Sequence, residues 1–359
     1  MIDSLKELIN SISSPSFFLT LSIILLGVSL YFKQFWTRRS LGIAAAISGG
    51  LFLFSVTDEN FREIVAKPDN LPIIALLFLV GFFTWLSLHL AFDNDRRKAA
   101  GEPILEKQET LPKTFVWPDL VYIEFIALIV CTVVLIVWSV LLKAPIEEPA
   151  NPADSPPSTK APWYFLGLQE MLVYFDPWIA GVVIPSIIVL GLMAIPYIDR
   201  DVKGSGYYSF RERRPQILVF LFGFSILWVF LIILGTFFRG PNWNFFGPYE
   251  FWDVHKVVLM NNVNLSEFIW VRGMGIGLPR NWLVREIFGI VLLLGYFAVP
   301  PYLLARGWFR SYYEKLGINR YLLMMFLLLS MLALPIKMYL LWIFNLKYIV
   351  SIPEYFFNI

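Results

Sequence analysis

"LVYIEFIALIVCTVVLIVWSVLL", residues 120–142, runs for twenty-three positions with a single charge, Glu124. At about 1.5 Å of rise per residue, a helix of this length covers the ~30 Å hydrocarbon core of a bilayer. Lipid offers the backbone no hydrogen-bond partner, so a run of this length is read as a helix, not as barrel strands. Seven further runs have the same character, at about 16–32, 40–56, 71–92, 178–197, 215–237, 284–304 and 321–345. The composition agrees. The 359-residue chain is 58% hydrophobic and only 16% charged, where soluble domains run near 45–50% apolar. The fold expected is an all-α integral membrane protein with about eight transmembrane helices.

Lysine and arginine set the orientation. They gather in alternate linkers: Lys33, Arg38 and Arg39; then Arg96, Arg97, Lys98, Lys107 and Lys113; then Arg200, Lys203, Arg211, Arg213 and Arg214; then Arg306, Arg310, Lys315 and Arg320. These four linkers are assigned to the cytoplasmic side of a bacterial-type inner (cytoplasmic) membrane. Both termini and the loops 57–70, 143–177 and 238–283 then face the outer, periplasmic side.

Several functions are disfavoured by what is missing. Net charge is +2 and no long basic run occurs, which argues against nucleic acid as a partner. The lone cysteine, Cys131, excludes an internal disulfide, a CxxCH haem attachment and a cysteine-ligated iron–sulfur cluster. It is read as a small buried apolar residue. "RGMGIGLPRNW" (272–282) follows no strand and does not fit GxGxxG, so it is a turn and not a nucleotide loop. A transporter would show paired charges in the span centres or a repeat of spans; neither is evident. Glu124 and Lys337 lie near span ends, where long side chains snorkel. Arg285 and Glu286 are read as a pair. "MIDSLKELIN" (1–10) is read as a short helix and not as a signal peptide.

The outward loops are unusual. "EEPANPADSPPSTKAPWY" (147–164) is too rich in proline for regular structure before Trp163. Tyr164 to Phe175 reads as a short amphipathic helix at the membrane surface. Loop 238–283 is aromatic, with Trp243, Phe245, Phe246, Tyr249, Phe251 and Trp252, as an interfacial belt or a docking surface would be.

Five segments, in order and at the right spacing, resemble the C-terminal part of cytochrome b, which in the cytochrome b6-f complex is a separate chain, subunit IV. They are "WPDLVYIE" (117–124), "EEPANPADSPPS" (147–158), "WYFLGLQEML" (163–172), "AGVVIPSIIVLGLMAIPYID" (180–199) and "FRERRP" (210–215). The resemblance covers about residues 118–239. It divides the chain into an N-terminal extension with three spans (1–110), a subunit IV-like three-helix unit carrying a quinol-site loop (111–239), and a C-terminal extension with an outer loop and two spans (240–359).

The resemblance implies a membrane subunit of a bc-type quinol oxidoreductase. Its outer face would form part of a site where quinol is oxidised and protons are released, with electrons passing to a Rieske iron–sulfur protein and on to cytochrome c or a plastocyanin-type acceptor. Pro162, Trp163, Tyr164, Phe165 and Leu166 would line the quinol, and the Tyr164 hydroxyl could bond to it. The family carries a glutamate directly before the tryptophan as proton acceptor; here that position is Pro162. Glu170, two helical turns after Trp163 and on its face, is the candidate replacement as a half-buried proton acceptor; the alternative is an exposed interfacial acid. Asp176 is read as a helix cap.

Two bis-histidine haems need four histidines. The chain has His89 and His255, read at opposite sides of the membrane and each as a hydrogen-bonded interfacial residue. Haem b and the iron–sulfur cluster are therefore expected on partner subunits: a haem-bearing cytochrome b N-terminal-type subunit and a Rieske protein, in a dimeric complex. A non-catalytic membrane scaffold is the alternative, favoured by Pro162.

Overall fold

The computed structural model describes residues 2–105, 114–142, 149, 152, 160–200, 209–259 and 261–359. The proline-rich stretch 147–158 lies almost wholly outside the described residues, as do Lys107, Lys113 and Lys203 of the basic linkers.

Two bent pairs open the chain. Helix α1 (Ile2–Ile12) meets α2 (Pro15–Tyr31) at 79°, where Pro15 opens α2 at a position needing no N–H donor. Helix α3 (Arg38–Ser55) meets α4 (Glu59–Val65) at 110°, where the Asp58 carboxylate caps α4 by accepting from Phe61 N at 3.0 Å. Then follow α5 (Leu71–Ala99), α6 (Val116–Leu141), the short α7 (Trp163–Met171), α8 (Ile179–Ile198), α9 (Arg214–Phe238), α10 (Ile287–Arg306), α11 (Arg310–Leu316) and α12 (Ile318–Phe344). Six of these helices are long and apolar enough to cross a membrane, and eight spans result if each bent pair counts as one. The all-α membrane fold read from the apolar runs is thus the fold observed.

The two ends of the bundle gather the linkers as the charge pattern sorted them. At one end, His89 Nδ1 donates to the Trp36 carbonyl at 2.6 Å. There too, Asp95 of α5 accepts from Ser209 Oγ (2.8 Å) and Arg211 N (3.0 Å), and Lys98 pairs with Glu212 at 2.8 Å. These contacts clip α5 to the approach of α9. Asp95 is buried, so Asp95→Ala orphans two donors and is expected to cost about 1–3 kcal/mol. A lowered thermal midpoint in detergent would show it; an unchanged midpoint would mean that the clip holds nothing.

At the other end, Tyr249 ties four segments together. Its hydroxyl bonds Ser55 Oγ at 2.7 Å, its carbonyl accepts from Asn60 Nδ2 at 3.2 Å, and its N–H donates to Asn10 Oδ1 at 3.0 Å. Lys6 of α1 pairs with Asp58 at 2.6 Å. The C-terminal tail joins the same end. Residues 263–265 pair with 345–348, the small hairpin Ser351–Ile352/Phe357–Asn358 closes on itself, and Asn358 Nδ2 donates to Asp176 Oδ2 at 2.9 Å. Asp176 Oδ1 also accepts from Trp178 N at 3.4 Å, a weak form of the cap read from sequence.

The three stretches named from sequence share one core. Leu19 of α2, Met171 of α7, Tyr174 and Phe175 after it, Ile226 to Leu234 of α9, and Leu334 and Met338 of α12 form a single buried cluster. A hydrogen bond of 2.6 Å between the Thr20 and Tyr339 hydroxyls joins α2 to α12 directly.

Two expectations change. No part of the apolar window of α6 is buried within the chain, so Cys131 is exposed on a lipid- or partner-facing helix, not buried. Lys337 does not snorkel. It is 2% exposed, because α12 runs through the bundle centre, and its ammonium sits 5.8 Å from the Phe175 ring and 5.6 Å from the Tyr348 ring. The expected pairing of Arg285 with Glu286 is present at 3.1 Å and extends to Glu354 at 2.7 Å.

Candidate functional site

Helix α7 begins where Pro162 ends the proline-rich loop. Proline fixes its own φ and presents its carbonyl to Phe165 N (2.8 Å) and Leu166 N (3.2 Å). One side of α7 lies flat on α9. Gly167 leaves room for the Trp228 ring, and a Cβ on Gly235 would sit 3.3 Å from the Leu166 carbonyl. That close approach decides which residues turn inward. Leu166, Gly167, Glu170 and Met171 are buried, while Trp163, Tyr164 and Phe165 remain 40%, 50% and 50% exposed. The three rings make a ladder, Trp163 edge-to-face with Tyr164 at 5.7 Å between centroids and Phe165 tilted against Tyr164 at 4.7 Å.

The sequence groups Pro162 to Leu166 as one lining. The structure keeps Pro162, Trp163, Tyr164 and Phe165 together on an open face and removes Leu166, which packs against α9. Glu170 differs too. Instead of a half-buried acid beside the aromatic face, it is a fully buried carboxylate, 0% exposed. Both its oxygens are taken. Arg239 grips it side-on, with Nη2 2.6 Å from Oε1 and Nε 2.9 Å from Oε2. Tyr174 donates its hydroxyl to Oε1 at 3.1 Å, and Trp243 Nε1 donates to Oε2 at 2.9 Å. Arg239 Nη1 also reaches the Trp243 carbonyl at 3.1 Å. A two-pronged arginine–carboxylate pair with two further donors is the arrangement that repays burying both charges.

The electrostatics follow. Burial pulls the Arg239 guanidinium down, but the Glu170 carboxylate more than offsets this and its pKa is raised. Burial and then the neighbouring Glu170 charge push the Tyr174 phenol well above its ordinary range. Close by, Lys160 donates from Nζ to the Thr236 carbonyl at 2.7 Å and lies 4.8 Å from the centroid of the Trp252 ring. Burial first, and the Lys67 charge second, bring its pKa down to about 7. α9 ends in a π-helical stretch, Leu234–Phe238, which delivers the Thr236 carbonyl and Arg239 to this corner.

Arg239, Trp243, Tyr174, Lys160 and Trp252 are not singled out by sequence reasoning as site residues. One signal for Arg239 is present. It follows an apolar span directly, in a linker that the Lys/Arg alternation leaves poor in cations, so a counter-charge is to be expected there. His89 is bound to Trp36 and stacked on Trp85 at 4.9 Å, while His255 is exposed in the loop after α9. Among the described residues, no group of three or more His, Cys, Asp or Glu side chains is placed to hold a metal ion.

Most of the corner just described, from Lys160 to Trp243, falls inside a segment with known relatives. Residues 149–250 match the cytochrome b (C-terminal)/b6/petD family. This cytochrome b-like segment begins after α6 and reaches into the loop after α9 as far as Glu250. It therefore takes in α7, α8, α9 and every residue of the Glu170–Arg239 cluster. It starts later and ends later than the resemblance read at 118–239. Cytochrome b of Debaryomyces hansenii is 25% identical over 235 residues, which is 62% of this chain and 59% of that protein. The chain thus spans less than two thirds of the length of this curated relative. No solved structure matches it.

Proposed function

We propose that this chain is a membrane subunit of a cytochrome bc/b6-f-type complex and forms one wall of its outer quinol-oxidation site. The observation that carries the reading is the exposed ladder Trp163–Tyr164–Phe165, held on α9 by the buried Glu170–Arg239 pair within the cytochrome b-like segment. A quinol head needs a flat apolar slot with few, well-placed polar groups; the ladder supplies one wall and the Tyr164 hydroxyl supplies a hydrogen bond. In this reading the two histidines do not serve one haem, because His89 is engaged at one end of the bundle and His255 lies at the other. A haem-bearing cytochrome b subunit then faces the ladder, a Rieske protein takes one electron, and cytochrome c is the final acceptor. The end of the bundle that holds α7 and the C-terminal tail faces the periplasm.

The test is quinol oxidation by the purified native complex. Trp163→Ala together with Tyr164→Ala is expected to lower turnover more than tenfold, about 1.4 kcal/mol or more in the barrier, with haem content unchanged. A wild-type complex that carries haem and oxidises no quinol, or a variant at full turnover, would sink the reading. The scaffold alternative would then stand, favoured already by Pro162 in the motif and by the saturated Glu170 carboxylate.

A further inference from the structure

Quinol oxidation at the outer face must deliver protons to a base there. Among the described groups near α7, three are already committed. The Glu170 oxygens receive four hydrogen bonds. Asp176 accepts from Trp178 N and Asn358 Nδ2. Tyr174 is fully buried and donates its proton to Glu170. Lys160 is left. It stands two residues before Pro162, and its segment is pinned alongside α7 because Ala161 N donates to Gln169 Oε1 at 2.8 Å.

We propose that Lys160 is the proton-accepting group of this quinol site, in place of the carboxylate that the chain lacks at position 162. The inference rests on the functional reading above. Its geometry suits a neutral amine that becomes charged. As an amine, Nζ donates one hydrogen to the Thr236 carbonyl and keeps its lone pair free. As an ammonium, it lies against the face of Trp252, whose ring quadrupole favours a cation. The charges that face it are Lys67 from the segment before α5, Glu170 from α7 and Arg239 from the end of α9. Glu170 and Arg239 largely cancel each other. Lys67, 5.3 Å from the same Trp252 ring and exposed, repels the new charge and favours its loss to outer water. A quinol O–H bond breaks and an N–H bond forms on Lys160. The quinol anion gives one electron to a one-electron oxidant of the iron–sulfur class on a partner subunit. The proton then leaves Nζ for the aqueous side. A base whose pKa lies near 7 is matched to this work.

The experiment uses the whole complex. Quinol oxidation is measured between about pH 5.5 and 8.5 for wild type, Lys160→Arg and Lys160→His, with haem content and thermal midpoint as controls on assembly. In wild type the rate should rise about tenfold per pH unit below the pKa and level off above it. Lys160→Arg, charged at every pH used, should turn over more than tenfold more slowly and lose the break. Lys160→His should recover part of the rate, with a break at lower pH. Independently of turnover, acetic anhydride labelling of Lys160, read by mass spectrometry, should reach half its maximum near pH 7, far below that of exposed lysines. A wild-type complex with no quinol oxidation fails the functional reading. Active wild type with the same break in Lys160→Arg, or half-labelling near pH 10, overturns the assignment of Lys160 alone.

Discussion

Arg239→Leu is expected to lower the stability of the protein by about 3–5 kcal/mol. The reason is burial. Glu170 has no contact with solvent, so removing its partner leaves a buried carboxylate without its ion pair. Tyr174 and Trp243 can each give it one hydrogen bond, but neither supplies charge. Glu170→Leu should cost a similar amount, because it strands the guanidinium. The double variant Glu170→Leu/Arg239→Leu should lose less than the sum of the two, by about 1–3 kcal/mol. It removes both charges together and leaves only the Trp243 and Tyr174 donors unmet. Thermal unfolding in detergent and protease cleavage within 160–175 measure this. Additive losses would show that the pair is not what pins α7. Since the open face of α7 carries Trp163, Tyr164 and Phe165, the single variants should also lose quinol turnover in proportion to the loosening of that helix.

Gly289→Leu is the second large effect. Gly289 sits on α10 where the C-terminal tail crosses, and any Cβ there would run straight into the Ile349 carbonyl oxygen, with Val350 Cγ2 at 2.8 Å. A backbone oxygen cannot swing aside as a side chain does. Ile349 and Val350 are tied to Ile359 by main-chain hydrogen bonds, and Ser351 N donates to the buried Glu286 at 3.1 Å. The added side chain therefore has to lift the tail off α10, at about 3 kcal/mol or more. Carboxypeptidase should then trim the tail beyond about residue 345, which wild type should resist. Gly295→Ala, on the same helix with open space around it, should be neutral or slightly stabilising. Equal resistance in Gly289→Leu would mean that the tail has another anchor.

The spans were legible because lipid allows few solutions. A run such as 120–142 has one way to satisfy its backbone, and the Lys/Arg alternation then sorts the linkers into the two ends seen here. The aromatic face of α7 was legible through its motif. Glu170 was found as a residue but not in its setting, because its partner Arg239 lies 69 residues away. No local pattern reports such a contact. Leu166 was misplaced for a related reason. Helix periodicity ranks faces, but Gly167 and Gly235 decide which face meets α9, and that is a property of the pair of helices. Lys160 was hidden inside a proline-rich loop, where a lysine ordinarily means solvent. Only the closure of Trp252 and the end of α9 over it changes its chemistry. Lys337 failed in the same way, since closeness to a span end was read as access to water.

The Thr20–Tyr339 contact has a consequence for how the protein is made. Its two hydroxyls are 319 residues apart in the chain. At about 5–20 residues per second, a ribosome needs roughly 16–60 s to go from one to the other. Over that interval α2 is already in the bilayer, and its Leu19 face is met first by α7 and α9 and last by α12. The early spans must therefore hold their place through their own apolar length, and the shared core closes only when α12 arrives. A message broken before α12 yields membrane-inserted helices with an open seam. Such a product lacks the Leu334 and Met338 side of the shared core.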